Sequence, residues 1–150
     1  MSIKTRKLSI VVLTASLLIA GVTWQAVKAQ EPKINCNKKL SSGVNYKLHQ
    51  QGQFQQGPTL ALSGEIKIAK TYQCPQGTCF RADMKIYDYD LGPKSVEGYW
   101  QGSSIQFVRY VGQENTQENW SGQCLENAVK GQWYFPNNLN NRHPFIIDLS

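Results

Sequence analysis

The heptapeptide Phe80-Arg81-Ala82-Asp83-Met84-Lys85-Ile86 decides the fold, because apolar and polar side chains alternate along its whole length. Successive side chains of a β-strand point to opposite faces, so the alternation predicts a strand with one buried and one solvated face. The same period recurs in residues 104–107, 129–135 and 144–149. Strand-forming residues also occupy 44–49, 59–70 with a bend expected at Ser63-Gly64, 94–101 and 116–124. The sequence therefore predicts about eight strands.

Helical patterns are weak after residue 30, since glycines interrupt most stretches with three-and-four apolar spacing. Short connections between successive strands favour antiparallel neighbours. Eight such strands cover their edges most simply by closing on themselves. We predict an all-β fold, a single antiparallel up-and-down β-barrel of about eight strands stabilised by disulfides. The alternative is a two-sheet β-sandwich.

The first 29 residues are typical of a signal peptide. Lys4, Arg6 and Lys7 precede an apolar stretch from Leu8 to Val22, and small residues flank Lys28 before a cleavage point at Gln30. An uncleaved membrane anchor is the alternative, because the uncharged stretch is nearly long enough to span a bilayer. We expect residues 1–29 to be removed and residues 30–150 to form the barrel domain. The domain would then be secreted or periplasmic, without stable membrane insertion.

The positive charge of the chain belongs mainly to this leader. Of 16 basic and 10 acidic residues, four basic ones precede residue 30, which leaves 12 − 10 = +2. The remaining basic residues are dispersed, with no run longer than Lys38-Lys39. A protein that follows a phosphate backbone needs a basic stripe, so nucleic acid is not an expected partner.

The four cysteines all follow the leader, and an even count in an exported chain favours disulfide bonds. Cys74 and Cys79 enclose a Pro-Gln-Gly turn, which suits a bridge across a hairpin tip. Cys36 would then pair with Cys124, although the other two pairings stay open. No metal site is expected, because the two histidines have no regular spacing to the cysteines.

Three segments of the C-terminal half carry a family resemblance. The segments 105–109, 119–124 (Asn-Trp-Ser-Gly-Gln-Cys) and 129–133 resemble the late strands of avidin-like and lipocalin-like barrels, together called calycins. The resemblance implies a ligand-binding barrel in which Trp120 and Trp133 line the pocket. No tryptophan follows Trp133, so the resemblance implies the architecture rather than biotin as the ligand.

Candidates for catalysis are few. The chain has no Gly-x-Ser-x-Gly elbow, no His-Glu-x-x-His and no phosphate-binding glycine loop. His49 lies beside the glutamine-rich residues that begin at Gln50 and is interpreted as a solvated strand end. His143 precedes Pro144 and is interpreted as a loop residue. Asp88 and Asp90 directly precede a Leu-Gly-Pro turn, where polar side chains are common. We expect a protein that is not an enzyme and uses no cofactor.

Aromatic residues are the more informative set, because a small barrel must fill its interior. An eight-stranded barrel can hold one small ligand. Arg109 shares strand parity with Phe107, so it enters the interior if Phe107 does, and a buried charge needs a partner. That partner is either a carboxylate of the chain or an anionic ligand group. The aromatic candidates for the interior are Phe80, Tyr99, Trp100, Phe107, Tyr110, Trp120, Trp133 and Tyr134.

Three functions fit these observations. The first is binding of a small apolar or amphiphilic ligand inside the barrel by Phe107, Arg109, Trp120 and Trp133. The second is a secreted inhibitor or adaptor that contacts another exported protein through an exposed glutamine-rich loop at 50–57 and the tip closed by Cys74 and Cys79. The third is a glycan-binding sandwich that uses an exposed Trp100 and Tyr99.

Overall fold

The computed structural model describes residues 31–53, 59–112 and 116–150. The predicted signal peptide lies outside the described residues. A short 3-10 helix, Cys36–Lys38, precedes eight strands. These are β1 (Asn45–Gln53), β2 (Thr59–Cys74), β3 (Gly77–Ile86), β4 (Lys94–Gln101), β5 (Ser104–Tyr110), β6 (Gln117–Cys124), β7 (Ala128–Tyr134) and β8 (His143–Asp148).

The strands form a closed antiparallel barrel in which each strand pairs with its neighbours in chain order. Closure is made by β1 and β8, where Leu48 lies opposite Ile147 and Gln50 opposite Phe145. Closure removes the two outer strands that an open sheet would have. The prediction of an eight-stranded up-and-down barrel is confirmed, and the sandwich alternative is not the fold.

The apolar residues of each alternating segment point into the barrel, and the residues between them point outward. In β3, Phe80, Ala82, Met84 and Ile86 are 0–4% exposed, whereas the residues between them are exposed or half-buried. The inward positions of the other strands are filled in the same way. The buried apolar set includes Leu48, Ile66, Ile68, Val96, Trp100, Ile105, Phe107, Trp120, Val129, Trp133, Phe145 and Ile147.

At one inward position, Gly131, a glycine makes room for a neighbouring aromatic ring. A Cβ on Gly131 would lie 2.6 Å from the Gly122 Cα and 2.7 Å from a ring carbon of Phe145. Gly131 is paired with both of these residues in the sheet. Because two glycines lie side by side, the Phe145 ring can approach the backbone of β6 and β7 closely.

The first hairpin differs from its prediction. Strand β1 continues to Gln53, so residues 50–53 are not part of an exposed loop, and Gln50 is only 4% exposed. Residues 54–58 lie outside the described residues. Strand β2 runs without a break through the expected bend at Ser63-Gly64, and its irregularity falls between Ile68 and Lys70 instead.

The N-terminal segment closes one end of the barrel. The Asn37 Oδ1 atom accepts hydrogen bonds from Trp100 Nε1 and, at 3.3 Å, from Thr78 Oγ1. The Tyr46 hydroxyl donates to the Lys39 carbonyl at 2.8 Å. Leu40 is 5% exposed and adds an apolar contact to the core. We call this the plugged end.

The other end of the barrel is the open end, towards which the β1–β2, β3–β4, β5–β6 and β7–β8 connections run. Two disulfides, Cys36–Cys124 and Cys74–Cys79, confirm the expected pairing. The first fastens the plug to β6, and the second closes the β2–β3 hairpin tip. Within the described part of the chain, no helix has the length and apolarity that crossing a membrane requires.

Removing the Cys36–Cys124 bridge should destabilise the barrel more than removing the bridge at the hairpin tip. The two bridges span 88 and 5 residues in sequence. The chain-entropy model then gives about 4.5 kcal/mol for the long loop and about 2 kcal/mol for the short one. Urea unfolding of the Cys36→Ala/Cys124→Ala and Cys74→Ala/Cys79→Ala double variants measures both losses. Equal losses would contradict the assignment of the long bridge as the main covalent constraint.

Candidate functional site

Three of the four residues predicted to bind a ligand form a continuous stack inside the barrel. The ring centroids of Phe107 and Trp120 are 5.4 Å apart with an interplanar angle of 16°. Those of Trp120 and Trp133 are 5.7 Å apart at 20°. All three side chains are 1–3% exposed. The structure therefore brings the predicted aromatic residues together, in contact with one another.

Strand register explains this stack. Phe107 on β5 lies directly opposite Trp120 on β6, and Trp120 lies opposite Trp133 on β7. Directly paired residues have Cβ atoms about 5 Å apart, which suits stacked rings. Phe145 on β8 packs its edge against Trp120, with centroids 4.9 Å apart. The aromatic side chains thus fill the width of the barrel at this level.

The indole N–H groups of the stack are satisfied by the protein itself. Trp133 Nε1 donates to the Gln51 carbonyl at 2.9 Å, and Trp120 Nε1 donates to Glu118 Oε2 at 3.2 Å. A buried indole normally has such a partner. Neither N–H group requires a ligand.

Arg109, the fourth predicted residue, is fully buried and forms two ion pairs. Its Nη1 atom lies 2.9 Å from Glu118 Oε2, and its Nη2 atom contacts Asp90 Oδ2. Asp90 follows β3 in the connection to β4, and its Oδ2 atom also accepts a hydrogen bond from the Ile86 N–H at 2.7 Å. The partner of Arg109 is therefore a pair of carboxylates from the chain. This cluster, Asp90, Arg109 and Glu118, is called the ionic cluster below.

Burial changes the pKa of one member of the ionic cluster, Glu118. Removal from water raises the pKa of Glu118 above its usual value near 4.5, and the nearby Arg109 guanidinium opposes that rise only in part. Burial thus disfavours the charged form of Glu118 by more than its contact with Arg109 favours it.

The mouth of the open end contains two further buried polar side chains. His143 is the first residue of β8 and is 7% exposed, so its interpretation as a loop residue is wrong. Its ring lies 4.7 Å from that of Trp133, and burial lowers the pKa of His143 below 6.5. The Gln50 Oε1 atom is buried and has no hydrogen-bond partner among the described residues.

Several aromatic residues were assigned to the wrong side of the sheet. Trp100 is 2% exposed, so the interpretation of Trp100 as a surface platform is wrong. Tyr99, Tyr110 and Tyr134 lie at outward positions and are half-buried rather than interior. Each occupies the parity opposite to the buried tryptophan or arginine beside it, which is the signal that could have placed it.

Two adjoining depressions lie on the outside of β4 to β7. The first, of about 350 Å³, lies among Glu97, Tyr99, Gln106, Val108, Asn119, Ser121 and Tyr134, over the backbone of the strands. The second, of about 320 Å³, lies among Ser104, Gln106, Ser121, Gln123, Lys130 and Gln132. Gln106 and Ser121 contribute to both. The two depressions therefore form one shallow groove along β5 and β6.

Among the described residues, no group of three or more His, Cys, Asp or Glu side chains is arranged to hold a metal ion. No protein-family model, curated protein or solved structure matches the chain. The resemblance to calycins stays a prediction. The architecture that it implies, a closed eight-stranded barrel, is the one observed.

The raised pKa of Glu118 predicts how the stability of the protein depends on pH. Because the folded state raises the pKa of Glu118, the folded protein holds more protons than the unfolded chain between pH 4.5 and the folded pKa. The contribution of Glu118 to stability is therefore fully present below pH 4.5 and is lost as pH rises through that window. Glu118→Gln cannot titrate, so its stability relative to the wild type should increase as pH rises.

Urea unfolding at intervals from pH 4 to pH 8 measures this difference. The exposed Glu126→Gln provides a matched control that should track the wild type. If Glu118→Gln instead loses relative stability with rising pH, the attraction to Arg109 outweighs the burial of the carboxylate, and the assignment is wrong.

Proposed function

We propose that the chain is an exported, non-enzymatic binding protein that uses a filled barrel as a rigid scaffold and recognises its target with outward-facing side chains. One observation carries the proposal: the predicted internal pocket is occupied by the protein's own rings. Phe107, Trp120 and Trp133 stack on one another and are nearly inaccessible to solvent. A ligand at this level would have to displace close-packed aromatic side chains.

The electrostatics of the interior support the same proposal. An acidic head group that approached Arg109 would have to replace Asp90 or Glu118, which already contact both terminal nitrogens. Breaking a buried ion pair is costly, because it leaves the displaced charge without a partner. The two terminal nitrogens of Arg109 thus support the structure of the open end, whereas its buried Nε atom has no hydrogen-bond partner among the described residues.

The covalent chemistry supports export. Two disulfide bonds in a domain of this size indicate an oxidising environment. The leader at residues 1–29 supplies the route, so the proposed location is periplasmic or extracellular. The proposal of a non-enzymatic role rests on the engagement of the buried acidic groups, because Asp90 and Glu118 are both paired with Arg109.

Footprinting tests the proposal. The oxidised protein is treated with hydroxyl radicals with and without an envelope fraction of the producing organism, and tyrosine oxidation is read by mass spectrometry. Outward Tyr99 and Tyr134 should be protected at least about threefold, whereas Tyr72 at the hairpin tip, 47% exposed, should not change. Protection confined to Tyr72 would favour the adaptor hypothesis, in which the tip makes the contact. Unchanged oxidation of every tyrosine would contradict recognition by outward side chains.

Binding inside the barrel is the second candidate, and Gln50 favours it. Its buried Oε1 atom lacks a protein partner at the mouth of the open end, where Trp133 and His143 also lie. A ligand hydroxyl or amide could donate to this oxygen.

Tryptophan emission and the Tm test whether a ligand binds inside the barrel. Under the outward-recognition proposal, fatty acids, quinones, pigments and biotin should leave the tryptophan emission and the Tm unchanged. A Tm increase of about 4 °C or more with any of them, removed by Gln50→Leu, would establish the interior as the binding site instead.

A further inference from the structure

The outer surface of the barrel is divided by charge. The outward positions of β5 and β6 carry only uncharged residues, namely Ser104, Gln106, Val108, Tyr110, Gln117, Asn119, Ser121 and Gln123. We call these eight residues the neutral face. By contrast, the outward positions of β1 to β3 carry Lys47, Glu65, Lys67, Arg81, Asp83 and Lys85.

Two charged residues at the border of the neutral face, Glu97 and Lys130, are paired with charges that lie beyond it. Glu97 on β4 accepts from Arg81 on β3 at 2.8 Å. Lys130 on β7 lies 2.7 Å from Glu31 of the N-terminal segment. The groove between them therefore presents little net charge, and it offers no complementarity to an acidic polymer or to a cationic one.

The groove is rich in groups that both donate and accept hydrogen bonds. Gln106, Asn119 and Ser121 line the first depression, and their amide and hydroxyl groups make no side-chain hydrogen bond within the described part of the chain. An amide or hydroxyl side chain can do both, as can each hydroxyl of a sugar. The hydrogen-bonding capacity of the groove thus matches a polyhydroxylated ligand without charge.

Tyrosine rings stand on both sides of this groove. Tyr99 on β4 and Tyr134 on β7 are three strands apart, which corresponds to about 14 Å across the sheet. The Arg142 guanidinium lies over the Tyr134 ring, 4.7 Å from its centre, in a cation–π contact. An aromatic ring offers an apolar face to the C–H groups of a pyranose, with its hydroxyl remaining in water.

We propose that the neutral face, with Tyr99 and Tyr134 at its sides, binds a neutral polysaccharide chain along the groove between the two depressions. The groove extends over about four residues of β5, or about 13 Å, so it suits a linear chain rather than a single sugar. The strands under the groove, β5 and β6, are hydrogen-bonded on both sides, so the groove offers no strand edge for a peptide to join. This inference rests on the proposed function, since it names the ligand of the outward surface.

Pull-down on insoluble neutral glycans tests the inference. The oxidised protein is incubated with cellulose, chitin and curdlan, and with immobilised alginate and polylysine as charged controls. We expect retention on at least one neutral glycan, little change from 0.05 to 0.5 M salt, and no retention on the charged polymers. Absence of retention on all three neutral glycans, or retention on the charged polymers alone, would overturn the inference.

Matched substitutions locate the site. Tyr99→Ala should weaken retention about tenfold, whereas Tyr72→Ala, which truncates an exposed tyrosine at the hairpin tip, should not. Gln106→Glu keeps the side-chain size but replaces the amide with a charge, and it should also weaken retention, with exposed Gln76→Glu as its control. This second pair keeps the inference testable if Tyr99→Ala does not fold. Equal retention of Tyr99→Ala, Gln106→Glu and the wild type would contradict the location.

Two outcomes separate this inference from the proposed function. If envelope material protects Tyr99 and Tyr134 from oxidation but no neutral glycan is retained, outward recognition stands and the polysaccharide is wrong. If light scattering shows a dimer that Ser121→Lys dissociates, the groove is covered by a second copy of the chain, which overturns the inference.

Discussion

Closure of one sheet between β1 and β8 is the constraint on which the rest of the structure depends. It forces every second residue of eight strands into a single enclosed volume, where the side chains must fit one another. Rings on β5, β6 and β7 stack because the register places them opposite each other, and paired glycines on β6 and β7 admit Phe145. Space inside the barrel at this level is thus taken by the side chains of the protein itself.

The two ends of the barrel are stabilised by different physical means. At the plugged end, a 3-10 helix is fastened by the disulfide of Cys36 with Cys124 and by the hydrogen bonds of Asn37. At the open end, the connection after β3 is held by Asp90, which binds the guanidinium of Arg109. The first means is independent of pH and sensitive to reduction, whereas the second contains a carboxyl group, Glu118, whose pKa burial raises.

Much of the candidate site could be predicted from particular residues. The parity of Phe107 and Arg109 placed both inside, and the tryptophans of the segments that resemble calycins lie against them as expected. The same alternation predicts that Tyr99, Tyr110 and Tyr134 point outward, because each is adjacent in sequence to an inward residue. Their assignment to the interior overlooked this. The same parity places Glu118 inside with Trp120, whereas the second partner of Arg109, Asp90, could not be predicted in this way. Asp90 is 19 residues away in a connection whose path no local pattern specifies.

The sequence by itself determined the strands and the alternation of their faces, because two-residue alternation is a local property of the chain. The choice of a barrel over a sandwich and of one cysteine pairing over the other two was decided by the tertiary structure. The tertiary structure alone decided that the interior is filled, that Gln50 and His143 are buried, and that uncharged side chains of β5 and β6 adjoin as one face. These features depend on register between strands and on the volume that closure leaves. Both are set by contacts between residues distant in sequence, so no single segment encodes them.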